Sequence, residues 1–174
     1  ANGLPTFVCD VRHPRDVPLM LRELGQAVNR SEAAEVHARA IEAMLRRAPD
    51  TNGRTALPLI WHRPLMAANG TTYAGNMLAC LGFNVPNIEP DGTGYPEVSP
   101  EIILQHGVTD VFLSSEPHEF TDEESGSLSE AFGNLTATPP RIHFIDGEDL
   151  TWMGSRTAEA LQRLGDRLNR VHLE

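Results

Sequence analysis

Gly94-Tyr95-Pro96-Glu97-Val98-Ser99-Pro100-Glu101 joins a glycine- and proline-rich loop to the start of a helix. Ser99 is a good N-cap, Pro100 has the fixed φ that suits a first helical position, and Glu101 falls in the first turn, where the helix dipole favours an anion. This capped entry is one of several points where the chain passes between strand, loop and helix, and that alternation decides the fold class. Read plainly, the stretch is a well-capped connection. Read functionally, it is a lip that offers Tyr95 to a ligand and Glu97 or Glu101 to a partner.

Downstream, Val108 to Ser114 has the apolar run of a buried strand. Thr121-x-x-Glu124 is a capping box opening a helix to about Phe132. Ile142 to Ile145 is a further strand, followed by the loop Asp146–Leu150, and a last helix over roughly 156–171 carries Ala160, Leu161, Leu164 and Leu168. Upstream, residues 83–98 are irregular. Before them Asn69-Gly70-Thr71-Thr72 leads into a helix holding Tyr73, Met77, Leu78 and Leu81, closed by Gly82. Ala56 to Trp61 is a strand whose Pro58 suits an edge or an end. Residues 14–48 form the longest helical region. Val17, Leu21, Leu24 and Val28, then Ala34, Ala38, Ile41 and Leu45, recur at helical spacing, with a break near Gly25 or Asn29 and Ser31 as the cap of a second segment. Pro49-Asp50-Thr51-Asn52-Gly53 stops it. Thr6-Phe7-Val8-Cys9 reads as a short buried strand. The architecture predicted is an α/β layered domain with a mostly parallel sheet flanked by helices, preceded by a long helical region.

At 174 residues the chain is one domain, or one plus a fragment, with enough length for a real core. Its net charge of −10 excludes binding to a nucleic-acid backbone or to an anionic membrane surface, both of which need clustered Lys and Arg. No run approaches the roughly 20 apolar residues of a transmembrane helix. Ala1-Asn2-Gly3-Leu4-Pro5 has neither the basic nor the apolar region of a signal peptide, and reads as the start of a mature or excised chain. Cys9 and Cys80, in apolar company and without CxxC spacing, read as buried thiols.

Trp61, Tyr73, Tyr95 and Trp152 all fall where strands end or loops meet helices. Ligands of open α/β sheets bind beyond the carboxyl ends of the strands, so an aromatic set gathered there makes an apolar platform with polar tips. Gly92-Thr93-Gly94 lacks the third glycine of a dinucleotide loop, and the phosphate-loop, GxSxG and HExxH patterns are missing. The histidines, His13, His37, His62, His106, His118, His143 and His172, show no metal-ligand spacing, and no metal site is expected from them. His62 and His118 stand at strand exits. They define the alternative reading, a small α/β hydrolase or transferase using one of them as its base.

Several motifs in one order give the chain a resemblance. They are Leu59-Ile60-Trp61-His62-Arg63-Pro64-Leu65-Met66, Gly70-Thr71-Thr72-Tyr73, Tyr95-Pro96-Glu97-Val98-Ser99, Ser114-Ser115-Glu116-Pro117 with Phe120, and Asp146-Gly147-Glu148-Asp149-Leu150-Thr151-Trp152 with Gly154-Ser155-Arg156. Together they resemble the helical-backbone class of ABC-transporter periplasmic substrate-binding proteins, receptors for cobalamin, haem and iron–siderophore complexes. That family has two α/β lobes joined by a long helix, with ligand between them. The resemblance implies that residues 1–13 hold the last strand of a missing N-terminal lobe (from Leu4 to Asp10), 14–48 the linking helical region and 54–174 the C-terminal lobe. It implies a non-enzymatic role, with Trp61, His62, Arg63, Tyr95 and Trp152 as ligand-binding residues, and Arg63 or Arg156 meeting acidic groups of the ligand. Glu101, and less closely Glu97, match the acid that docks onto the ABC permease's transmembrane subunits. No covalently bound cofactor is implied; the ligand is a cobalamin, haem or ferric siderophore. The location implied is periplasmic or otherwise extracytoplasmic, with a lipid anchor compatible with the full-length protein.

Overall fold

The computed structural model describes residues 6–47, 53–89 and 92–171. The helix stop expected at Pro49–Asn52, the start of the strand expected from Leu4, and His172 lie outside the described residues. Among the described residues the strands are β1 (Ala56–Trp61), β2 (Met66–Ala67), β3 (Asp110–Ser114) and β4 (Arg141–Ile145), in the sheet order β2-β1-β3-β4. β1, β3 and β4 are mutually parallel, and β2 runs antiparallel to β1. The helices are α1 (Val17–Ala27), α2 (Ser31–Leu45), α3 (Tyr73–Cys80), α4 (Pro100–Gln105), α5 (Asp122–Leu135), α6 (Gly147–Thr151) and α7 (Thr157–Val171).

Side chains alternate across the sheet and divide the core in two. Ala56 of β1 and Phe112 of β3 point into a core with Val17, Ile41, Leu78 and Leu164, beneath α1 to α3, α6 and α7. Leu57, Leu59, Val111 and Leu113 point the other way, against Ile103, Leu128 and Phe132 of α4 and α5. Covering both faces removes water from the strands, which is why they read as continuous apolar runs. The layered α/β domain with a mostly parallel sheet expected from the sequence is the one observed, and its layers are three.

Several local expectations are corrected. Pro58 lies in an interior strand: its carbonyl accepts the Ala68 amide, so its ring nitrogen faces the side covered only by the two-residue β2, where no ladder donor is required. The break expected in the long helical region is present: after a 3₁₀ turn at Pro14–Asp16, α1 and α2 pack on each other. A Cβ on Gly25 would stand 2.4 Å from that of Ala34, so the helices meet where neither can carry a larger side chain. The chain turns at Asn29, whose φ is 54°, and the N-cap of α2 is Arg30; Ser31 is already inside the helix. Thr6–Cys9 is not a strand of the sheet. Phe7 and Val8 are 41% and 84% exposed, and Cys9 is exposed too. Cys80 is half-buried, and burial pushes its thiol up to about 11. The loop expected over Asp146–Leu150 is instead the short helix α6, capped by Asp146, which accepts the Asp149 amide at 2.9 Å.

The stretch Gly94–Glu101 does more than start a helix. Its backbone runs beside β2 and prolongs the sheet edge: Gly94 and Pro96 carbonyls accept the amides of Asn69 and Ala67, and the Val98 amide donates to Leu65. Gly94 has φ 92°, and a Cβ there would lie 2.7 Å from Thr72 Cγ2 and 2.8 Å from Thr71 Oγ1. Gly94→Ala therefore combines a left-handed backbone with overpacking. It is expected to lower stability by about 1–3 kcal/mol, read as a lower urea midpoint at unchanged slope.

Candidate functional site

Two adjoining clefts open at the carboxyl ends of the parallel strands. The first, about 590 Å³, is lined by Trp61, His62, Arg63, His118, Thr121 and Glu124. The second, about 560 Å³, is lined by Ile60, Tyr73, Tyr95, Glu116, Pro117 and Trp152. They meet along the loop that leaves β3, where Glu116 and Pro117 face one and His118 the other. Each is within the roughly 300–1,000 Å³ of small-molecule sites.

The aromatic residues singled out from sequence are divided between them. Trp61 leaves β1 and stands edge-on to His118 with ring centroids 5.8 Å apart, its indole N–H donating to the Arg63 carbonyl. Trp152 follows α6 and donates to Glu116 Oε2 at 3.0 Å. Trp61, Tyr95 and Trp152 are 41%, 44% and 53% exposed, a large apolar area for one edge of a small domain. Tyr73 differs. It forms the floor of the second cleft, its hydroxyl paired with Thr157 at 2.9 Å, and burial raises its pKa to about 12.

Charged groups sort in the same way. Arg63 is exposed in the first cleft and makes no ion pair among the described residues. Arg156 is engaged within the protein, with Glu148 at 2.7 Å, Asp149 at 3.0 Å and its guanidinium over the Trp152 ring. That leaves Arg63 as the freer of the two arginines named from sequence. Glu97 and Glu101 are exposed and line neither cleft. The Ser99 hydroxyl and its own amide hold the Glu101 carboxylate below its usual range, while its slight burial opposes this.

Sequence spacing missed one grouping. His62, His118 and Glu124 converge in the first cleft, their ligating atoms all within 4.8 Å of one another. Glu124 was legible only as the acid of a capping box, which it does complete with Thr121. Its second carboxylate oxygen meets both imidazoles. The hydrogen bond from the Thr121 amide, then the two histidines, hold its pKa down to about 2 against burial.

A layered α/β domain carries its clefts at the strand carboxyl ends, the edge where open sheets of this kind bind ligands, and here aromatic rings stand on their rims. No family model and no curated protein sequence matches the chain. Solved structures do match its fold. It is similar to a possible iron-binding periplasmic solute-binding protein of Staphylococcus epidermidis, at TM-score 0.73 and 17% identity over 94% of this chain and 65% of that one. It is similar to the periplasmic vitamin B12 binding protein BtuF of Vibrio cholerae, at TM-score 0.69 and 12% identity over 99% of this chain and 68% of that one. The haem complex of IsdE from S. aureus matches at TM-score 0.68 and 14% identity, over 94% and 67% of the two chains. The chain thus spans about two thirds of the length of these binding proteins. No helix among the described residues is long and apolar enough to cross a membrane.

Proposed function

We propose that this chain is the linking region and C-terminal lobe of the substrate-binding component of an ABC importer, carrying a cobalamin, haem or ferric siderophore to the permease. Residues 1–13 are then the last strand of an N-terminal lobe, 14–48 the link and 54–174 the lobe itself. The protein works outside the cytoplasmic membrane, in the periplasm or on a lipid anchor. Trp61, His62, Arg63, Tyr95 and Trp152 contact the ligand, and Glu101, with Glu97 beside it, docks onto arginines of the transmembrane subunits. The observation that carries the reading is the exposed aromatic rim at the strand carboxyl ends, in a fold shared with binding proteins of this kind. Flat rings suit the faces of corrin and porphyrin, Arg63 suits their acidic side groups, and an exposed carboxylate at a rigid helix start suits a bidentate arginine.

The test is a visible-absorbance titration of cobalamin, haem and a ferric siderophore against the protein. One of the three is expected to bind, with Tyr95→Ala and Trp152→Ala each weakening it by roughly 10–100-fold. Glu101→Ala should leave affinity within about twofold while lowering transport, since it faces the partner and not the ligand. No binding by any of the three, beside micromolar binding of an unrelated metabolite, would remove the chelate class.

A further inference from the structure

We propose that His62 Nδ1, His118 Nε2 and Glu124 Oε1 form a binding site for a bare divalent transition cation of the zinc type. The three come from separate parts of the fold: His62 from the exit of β1, His118 from the exit loop of β3, and Glu124 from the first turn of α5. Glu124 Oε1 lies 2.6 Å from His62 Nδ1 and 3.0 Å from His118 Nε2. A four-coordinate ion with bonds of about 2.0–2.1 Å holds its ligands roughly 3.3 Å apart. Those two separations need to widen by only about 0.3–0.7 Å to admit one, and the two imidazole nitrogens lie within 4.8 Å of each other.

The surroundings fix these donors. Phe120 packs edge-on to His118 at 4.8 Å and tilted against His62 at 6.2 Å, and the two imidazoles stack at 5.8 Å. Glu124 Oε2 is held by the Thr121 amide at 2.8 Å, which turns Oε1 toward the rings and gives the carboxylate the outer hydrogen bond usual for a ligating acid. The side chains are 22%, 28% and 16% exposed, so the donors are shielded but reachable from the cleft. The two imidazole nitrogens converge on the Glu124 carboxylate, His62 Nδ1 on Oε1 and His118 Nε2 within 3.1 Å of both oxygens, and a single ion takes the place of the hydrogen atoms that join them. Two imidazoles and one carboxylate favour zinc, cobalt or nickel over magnesium or calcium, which prefer all-oxygen shells. The same donor set leaves a fourth position toward the cleft for water or a group of a bound molecule.

The site shares His62 and the first cleft with the chelate reading but does not depend on it, because a bare ion suffices. It is tested by calorimetry with zinc chloride and by the visible spectrum on adding cobalt(II) chloride, using the whole chain. The expected result is one equivalent bound, with the d–d bands of a four-coordinate cobalt ion that zinc abolishes. His62→Ala and His118→Ala should each weaken binding by more than about 100-fold, beyond the 10–100-fold typical of an outer hydrogen-bond partner. Glu124→Gln keeps the capping box, so it separates loss of a ligand from loss of the helix start, and should also weaken binding. His37→Ala, on the exposed face of α2, should change nothing. Absence of micromolar zinc binding, or binding indifferent to all three substitutions, would overturn the site. Zinc binding without any chelate binding would uphold it while removing the proposed function; the converse would do the opposite.

Discussion

Asp110→Ala is expected to cost about 3–5 kcal/mol of folding stability, the range for removing one member of a buried ionic cluster. Asp110 begins β3 at the end of the sheet opposite the clefts, and its side chain is wholly buried. Arg54 spans both carboxylate oxygens, with Nε 2.7 Å from Oδ2. His143 Nε2 lies 2.8 Å from Oδ1, and the Thr109 hydroxyl donates to Oδ2 at 2.8 Å. Arg54 and His143 are each only 11% exposed, so alanine strands them with little water to take the place of the carboxylate. Burial disfavours the charged form of Asp110, yet the hydrogen bonds from His143, Arg54 and Thr109 outweigh it and hold the pKa well below its ordinary 3.8. A depressed carboxylate stabilises the fold above its unfolded pKa, and that contribution is lost as pH falls through the folded value. Wild type should therefore lose stability below about pH 4, and Asp110→Asn should lose this part of the slope along with part of the stability. Urea midpoints at pH 7 and pH 3 measure both. A cost under about 1 kcal/mol at pH 7 would mean that the cluster is solvated and behaves as a surface pair.

The same cluster marks where sequence reading stops. Arg54, Asp110 and His143 are joined only by the pairing of β1 with β3 and of β3 with β4, and no local pattern announces the meeting. His62, His118 and Glu124 escape for the same reason: metal-ligand spacing is a local signal, and these three residues sit on different elements. Local chemistry was legible. Ser99 and Thr121 cap the helices they were expected to cap, and Gly82, with φ 94°, closes α3, since a cap is decided within four residues. Elements that depend on a distant neighbour were not. β2 exists because β1 and the 94–98 segment lie on either side of it, and Thr6–Cys9, with strand-like composition, is outside the sheet. For the cleft linings, Trp61 and Trp152 follow strand ends, and the chain order of a parallel sheet sends its exits to one edge, whereas Tyr95, between α3 and α4, was given its ligand role by the resemblance. Their division into two clefts depended on the path of residues 115–118, which no periodicity encodes.

Asn69→Ala is expected to cost about 2–4 kcal/mol and to loosen the wall that carries Tyr95. Asn69 is 1% exposed and ties together three separate stretches of chain. Its side-chain amide donates to the Ile88 carbonyl at 2.7 Å, and its Oδ1 accepts the Thr71 amide at 2.9 Å and the Thr71 hydroxyl at 2.6 Å. Its backbone amide donates to Gly94, one residue before Tyr95, and its carbonyl accepts the Thr72 hydroxyl that caps α3. Removing the side chain leaves a buried carbonyl and a part-buried N–H without these partners, each costing about 1–3 kcal/mol less whatever water restores. The loss should be uneven. α3 keeps its Thr72 cap, while the segments at Ile88 and Gly94 lose their anchor or its rigidity. Hydrogen exchange should accelerate in residues 84–89 and 92–98 well before it does in β3, and any ligand held by Tyr95 should dissociate faster. Uniform acceleration across the sheet would instead mean that Asn69 supports the whole fold and has no special part in placing the cleft wall.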